Sequence, residues 1–448
     1  MKLQFFGAAG TVTGSKTLLS EGAGNNVERY LVDAGLYQGE DWLTEKNNIN
    51  FNFEFVKEIK AIFITHAHLD HCGYLPYLIN QGFSGPIFMT KATSELVELV
   101  LKDAFSIMEK DLKDKKIEKA HYSIDDLSKV FSMINIKSRD QVHKYNSLNF
   151  KFIEAGHILG ASSLNIKWND KSLLFSGDIG RQEDPIHMAP NHLNEKVDAL
   201  IIEGTYGGRE HSDEPIEPKL KGAIDHIRKY EGVLLIPSFA IARSAVILKA
   251  LTDFFAKNPS LKLKVYVDSP MMIKALRIYE ENAEDSKVSR EEFENLLDNV
   301  KLVEYPKDRK KLQKVSPPYI LLSSSGMLSG GRSIEHFERL AIKESNFVML
   351  AGYQGVGTLG RQVLDGQQTI ISAGRERQIK ARVDLISQLS AHADESELLE
   401  YISHLKNPDL KVFVNHAEPE TANLFSDKIE KDLKLSATVV AEDRDYEL

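Results

Sequence analysis

The feature that most constrains this chain is a run of chemistry-bearing residues directly behind a buried strand signal. Ala61-Ile62-Phe63-Ile64 is a short apolar run that reads as a buried strand. It is followed at once by Thr65-His66-Ala67-His68-Leu69-Asp70-His71, then by Gly73-Tyr74-Leu75-Pro76-Tyr77-Leu78, which reads as a helix start. The cluster is therefore expected on a strand-to-helix loop, where side chains can converge. Neutral imidazole and carboxylate suit zinc and its borderline-soft neighbours. One ion rarely draws four ligands from six consecutive residues, because their Cβ atoms diverge. Two pairs feeding two adjacent ions is the easier geometry.

The rest of the chain has to supply a fold around that loop. At 448 residues it is long enough for two to three domains, and 42% hydrophobic with 27% charged residues is ordinary for globular proteins. Cys72 is the one cysteine, which excludes an intramolecular disulfide and fits a reducing cytoplasm. As a lone thiol beside the cluster, it is expected to pack there rather than ligate. Met1 to Gly7 reads as a short strand, not a signal peptide, and no run reaches the length of a membrane span. A formal charge of −9 argues against a protein coated in basic patches, yet a local groove can still be positive.

Up to Gly207-Gly208 the pattern is of many short strands, among them Glu28 to Val32, Phe150 to Glu154, Lys171 to Phe175 and Ala199 to Ile202. One long helical pattern, Ala92 to about Lys116, interrupts them. Beyond Gly208 strands such as Val233 to Ile236, Tyr319 to Leu322 and Phe347 to Leu350 alternate with helical stretches, which predicts a parallel sheet with crossover helices. Near Ser387 a strand-helix pattern richer in histidine returns.

Four further ligand-type residues fall at the C-terminal ends of apolar strands: Asp33, His157, Asp178 and His416. That is where open α/β sheets build their sites. Together with the cluster they suffice for two ions. Ser323-Ser324-Ser325-Gly326 also follows a strand and offers hydroxyls and backbone N–H groups that suit phosphate. His121, His143, His187, His211, His226, His336 and His404 lack comparable context and read as structural or surface residues.

The order Asp33, His66-Ala67-His68-Leu69-Asp70-His71, His157, Asp178 resembles the metallo-β-lactamase superfamily. Ile202-Glu203-Gly204-Thr205-Tyr206-Gly207, Ser390-Ala391-His392-Ala393-Asp394 and Val414-Asn415-His416 resemble the added motifs of its β-CASP nucleases. Gly7 to Ser15, Pro237 to Ala240, Ser325 to Gly331 and Gly352 to Arg361 fit as well, so the resemblance spans most of the chain. It departs after the last histidine, where Ala417-Glu418 replaces the usual Gly-Glu. The fold so implied is an αββα sandwich, residues 1–207 and 387–448, with an inserted α/β β-CASP cap domain at 208–386.

The resemblance also implies roles. His66, His68 and His157 would hold one Zn2+; Asp70, His71 and His416 would hold the other; Asp178 would bridge them. Asp33 would fix a histidine's orientation, His392 would protonate the leaving oxygen, and Glu203 would orient His392. Histidine at position 416 goes with the family's RNA-cutting members, whereas DNA-processing members tend to carry valine. The expected activity is hydrolysis of single-stranded RNA in the cytoplasm, leaving 5′-phosphate and 3′-hydroxyl ends, with no membrane partner; a homodimer is compatible with this. A hydrolase of small thioesters, lactones or lactams would account for the ligands but not for Glu203, His392 or the insert. A DNA nuclease is a competing reading. So is a non-enzymatic scaffold, although scaffolds of the family usually show lost ligands and none is lost here.

Overall fold

A computed structural model describes residues 1–39, 44–47, 55–212, 214–352, 354–355, 357–372, 374–386, 388–442 and 444–448. Tyr353 and Val356 of the glycine-rich segment, and Ser387 where the pattern shifts, lie outside the described residues. The chain divides into two compact units, Met1–Glu210 with His392–Leu448, and His211–Ala391.

The first unit is built on two seven-stranded sheets. One runs in the order Asp445–Glu447, Lys2–Phe5, Thr17–Glu21, Glu28–Val32, Ile59–Phe63, Ile87–Met89, Ile134–Ile136. The other runs Ser436–Val439, Lys411–Asn415, Ala199–Glu203, Lys171–Phe175, Ser162–Trp168, Leu148–Glu154, His143–Tyr145. Both ends of the chain enter the first sheet, since Leu3 pairs antiparallel with Tyr446. Side chains alternate across each strand. One set, including Phe5, Tyr30 and Phe63 from one sheet and Phe150, Ile166, Trp168 and Phe175 from the other, forms a common core. Tyr30 meets Trp168 edge-on at 5.1 Å and Phe63 meets Phe150 at 4.9 Å. The opposite face of the second sheet, Leu174, Leu200, Ile202, Val412 and Val414, is covered by the helices Glu395–Ser403 and Pro419–Leu433 through Leu398, Tyr401, Phe425 and Ile429. The long helix runs Lys91–Lys113, capped by the Thr90 hydroxyl, which accepts from the Thr93 N–H. The architecture is a mixed α/β sandwich.

The second unit carries a six-stranded sheet in the order Val300–Leu302, Val265–Val267, Tyr319–Ser323, Val233–Pro237, Phe347–Ala351, Arg382–Ile386, parallel throughout. Three of its four inner strands, Tyr319–Ser323, Val233–Pro237 and Phe347–Ala351, are buried at every residue, as expected when helices cover both faces. The edge strands Val300–Leu302 and Arg382–Ile386 escape a hydrophobicity reading because they carry exposed residues such as Lys301 and Arg382. No described helix is long and apolar enough to cross a membrane.

One expectation is corrected. The residues after Ile64 do not all lie on a loop, because Leu69–Cys72 form a short helix with His68 at its N-cap. Asp70 and His71 thus project from a helical turn, while His66 and His68 precede it.

Candidate metal centre

Strand pairing explains which residues meet. Glu28–Val32 runs parallel to Ile59–Phe63, with Val32 opposite Phe63, so Asp33 emerges beside Thr65 and His66. Asp33 adopts φ +61°, a left-handed conformation that aspartate tolerates better than most residues. In the second sheet, Lys171–Phe175, Ala199–Glu203 and Lys411–Asn415 are parallel neighbours. Asp178, Glu203 and His416 therefore lie at or just beyond adjacent strand ends. His157 follows Leu148–Glu154, and the Gly156 N–H donates to Glu154 Oε1 at 2.9 Å.

Two groups of side chains result. His68 Nδ1 lies 3.1 Å from His66 Nε2 and 3.2 Å from His157 Nε2. Asp178 Oδ2 faces the same point, 3.5 Å from His66 Nε2 and 3.6 Å from His157 Nε2. In the other group His71 Nε2 lies 3.2 Å from His416 Nε2, which is 3.5 Å from Asp70 Oδ2. Asp178 Oδ1 stands 3.4 Å from His71 Nε2. Each carboxylate oxygen of Asp178 thus faces one group.

The donor set fits a pair of cations. Ligands at about 2.0–2.1 Å around a tetrahedral zinc stand about 3.3 Å apart, close to these separations. Asp178 Oδ1 is buried with no hydrogen-bond partner, a costly state unless charge compensates it. His68 Nδ1 receives two imidazole nitrogens at once, which neutral rings cannot satisfy with hydrogen bonds alone. A shared cation would satisfy all three.

Charge follows the same plan. Burial holds His66 well below the ordinary histidine range and lowers His68 to about 4, leaving lone pairs free. Burial alone would raise Asp178, but the surrounding His416, His71 and His66 pull its carboxyl well below the usual range. Asp70 is lowered in the same way, burial being outweighed by the hydrogen bond from His416 and by His71. His71 is pushed up despite burial, because Asp178 and Asp33 face it.

Around these groups stands a layer of hydrogen bonds. Asp33 Oδ2 accepts from His71 Nδ1 at 2.7 Å, and Oδ1 accepts from the Thr65 N–H at 2.8 Å. The Thr65 hydroxyl is 3.1 Å from His66 Nδ1, and the Thr205 hydroxyl 3.1 Å from His416 Nδ1. Sequence reasoning missed both threonines. Their signal was position: each lies within a motif, one residue before His66 and two after Glu203.

His392 is held apart by its own partner. Its Nδ1 lies 3.1 Å from both oxygens of Glu203. Glu203 is fixed in turn, Oε1 accepting from the Ile179 N–H at 2.8 Å and Oε2 from the Thr205 N–H at 3.3 Å. Burial would depress His392, but Glu203 outweighs it and raises the imidazole to about 9. The ring packs 4.5 Å from that of His157, and the side chain is 21% exposed where Glu203 is 1%. A protonated imidazole beside the cluster and open to solvent can donate a proton.

The remaining sequence candidates lie elsewhere. Cys72 is buried, its thiol 3.5 Å from the Ala67 carbonyl and pushed well up by burial; it belongs to no ligand grouping among the described residues. The serines belong to the second unit. Ser323 must be withdrawn as a phosphate ligand: it ends the strand Tyr319–Ser323, is fully buried, and donates its hydroxyl to the Asp268 carbonyl. Ser324 lies 2.7 Å from the Ser269 hydroxyl, and Ser325 accepts from the Ser329 N–H; both are only half-buried. Of the histidines without motif context, His336 is buried against Asp268 at 2.7 Å.

Three family models match the chain. The Beta-Casp domain covers residues 245–363, the anti-Pycsar protein Apyc1 model residues 1–201, and the Zn-dependent metallo-hydrolase RNA specificity domain residues 376–440. Ribonuclease TTHA0252 of Thermus thermophilus is 30% identical, over 94% of this chain and 94% of that protein. Transcription termination factor FttA of Methanococcus maripaludis is 31% identical, over 87% of this chain but 63% of its own length. Cleavage and polyadenylation specificity factor 73 of Drosophila melanogaster is 30% identical, over 93% of this chain and 60% of that protein. Among solved structures, a protein of unknown function from Enterococcus faecalis V583 aligns over 100% of this chain and 99% of its own, with a TM-score of 0.55 and 14% identity; this likeness concerns the fold alone.

Proposed function

The chain belongs to the β-CASP branch of the metallo-β-lactamase superfamily, and from that premise we propose that it is a metal-dependent ribonuclease. His66, His68 and His157 would hold one Zn2+, Asp70, His71 and His416 a second, with one Asp178 oxygen toward each. Bound there, the ions would supply an acidified water and neutralise charge developing on a phosphodiester.

The chain's own groups do the rest. Asp33 accepts the Nδ1–H of His71 and so makes Nε2 the atom facing the cluster. Thr65 and Thr205 do the same for His66 and His416 from the opposite side of each ring. The proton that Asp178 and Asp33 favour on His71 is the one a bound cation would displace to gain the Nε2 lone pair. Glu203 holds Nδ1 of His392 and favours the charged imidazole, so that Nε2–H is the proton to be given. Hydrolysis leaving 5′-phosphate and 3′-hydroxyl ends breaks the P–O3′ bond, and that proton would go to O3′. In the second unit, Ser324 and Ser325 are the serines left to meet a backbone phosphate.

The observation that carries this reading is the Glu203–His392 pair beside His157. A hydrolase of small thioesters or lactams has no need of a second, separately oriented acid of that kind. The single cysteine supports a reducing, cytoplasmic setting. The test is to incubate the zinc-loaded protein with end-labelled single-stranded RNA, matching DNA and a chromogenic lactam, then map the product ends. Cleaved RNA with 5′-phosphate and 3′-hydroxyl ends is expected. A 2′,3′-cyclic phosphate would refute the mechanism, and turnover of the lactam alone would refute the substrate class.

A further inference from the structure

The helix Leu75–Asn80 follows the metal-loop helix directly and carries Tyr77, whose ring stacks on two others. Tyr74 lies 4.6 Å away at an interplanar angle of 11°, and His121 lies 5.6 Å away at 21°. Tyr122 closes in at 5.2 Å, tilted by 57°. These rings do not simply fill a core. They line a hollow of about 790 Å³, within the usual range for small-molecule sites. Tyr74 and Tyr122 are buried, Tyr77 and His121 half-buried, so the ladder of rings runs from the core toward the opening.

Some polar groups of the hollow are already committed. Gln81 donates its Nε2 to the Tyr74 hydroxyl at 3.2 Å and its Oε1 is closed off from solvent, and Asn80 donates to Asp126 at 3.2 Å. The Tyr77 and Tyr122 hydroxyls bond to none of the described residues. At the rim Lys119 is exposed and has no ion-pair partner among the described residues, whereas Lys116 is already held by Asp111 at 2.9 Å.

We propose that this hollow is a nucleotide-binding subsite: near-parallel rings for a base to stack on, the Tyr77 hydroxyl for its polar edge, and Lys119 for the attached phosphate. Base–aromatic stacking of this kind tolerates any base, because each has a π-face. The rim carries Lys116 and Lys119 beside the single carboxylate of Glu118, a balance that leans toward anionic ligands, and the flat ladder favours a planar ring over an aliphatic one. The nucleotide has two sources, a free mononucleotide or one residue of an RNA strand. Only the second rests on the ribonuclease reading.

The experiment titrates the zinc-loaded protein with AMP by calorimetry and with a labelled phosphorothioate hexaadenylate by fluorescence anisotropy. His121→Ala, His121→Phe and Lys119→Glu are compared, each checked for folding by circular dichroism. His121→Ala should weaken binding by roughly 5- to 150-fold, the range typical of a lost stacking partner. His121→Phe should restore most of it, and Lys119→Glu should weaken it again. Response of AMP assigns the site to a free nucleotide, and response of the hexamer alone assigns it to a strand. If neither ligand binds, or if binding ignores all three substitutions, the subsite does not exist. Cleavage of unmodified RNA is followed separately. Normal cleavage without a pocket effect sinks the subsite alone, and AMP binding without any cleavage sinks the ribonuclease reading alone.

Discussion

Exchanging Asp33 for asparagine changes two atoms' chemistry and little else, which makes it a sharp probe of the cluster. Asp33→Asn keeps the volume, and asparagine accepts φ +61° as readily as aspartate does. Its Oδ1 can still take the Thr65 N–H, now at 2.8 Å. What changes is the partner of His71. The new amide would present an NH₂ group to an Nδ1 that now donates at 2.7 Å, and two donors cannot face each other. Flipping the amide only moves the conflict to the Thr65 N–H. The conflict is relieved if His71 moves its proton to Nε2, the atom 3.2 Å from His416 Nε2 and 3.4 Å from Asp178 Oδ1. A proton there occupies the ligating lone pair. Loss of such an outer partner costs about 10- to 100-fold in metal affinity, or about 1.4–2.7 kcal/mol. On the proposed division of ligands, the loss should fall on an ion that Asp70, His71 and His416 would hold, while the group of His66, His68 and His157 should keep its affinity. Zinc titration against a competing chelator should therefore turn from near-uniform to biphasic, with the far-ultraviolet spectrum unchanged. Two ions bound as tightly as in the wild type would refute the orienting role of Asp33. Equal weakening of both would refute the division of ligands.

Three further outcomes are expected. Asp178→Ala should lose ions from both groups, and activity with them, because each group faces one of its oxygens; full occupancy of two ions by mass spectrometry would exclude a bridge. His392→Ala should keep its metal while kcat falls by about 10²- to 10⁴-fold, the usual worth of a general acid. Glu203→Gln should be milder and the double variant far from additive; loss of an ion from His392→Ala would make it a ligand instead. Lys16 is fully buried, donates to the Gly14 and Gly35 carbonyls at 2.9 and 2.7 Å, and is lowered by burial from 10.5 to about 7. Between those values the unfolded chain binds a proton that the folded chain does not, so the wild type should gain stability over Lys16→Met as pH rises from about 7 toward 10. The gain is up to about 1.4 kcal/mol per pH unit, and equal slopes in urea titrations would refute it.

What the sequence alone determined was whatever is local or periodic. Strands such as Glu28–Val32 and Lys171–Phe175 have the expected bounds, because a buried strand must be apolar and must stop at a turn. The parallel character of the second unit's sheet followed from alternation of strand and helix. The density of histidine after Ile64 marked a site before any geometry existed. The edge strands Val300–Leu302 and Arg382–Ile386 stayed hidden, since an exposed edge needs no apolar run, and the helix Leu69–Cys72 hid because its residues were read for their chemistry. Tertiary structure alone decided which distant residues meet. His157, Asp178 and His416 are far apart in the chain, and only the strand order brings their atoms within 3.7 Å of one another in the pairs Asp178–His157 and Asp178–His416. It also decided what is spent: Ser323 looked free beside a glycine-ended serine run, but the sheet buries it and the Asp268 carbonyl takes its hydroxyl. Sequence records which groups a chain owns; burial and hydrogen-bond partners, set by packing over hundreds of residues, decide which of them remain available for chemistry.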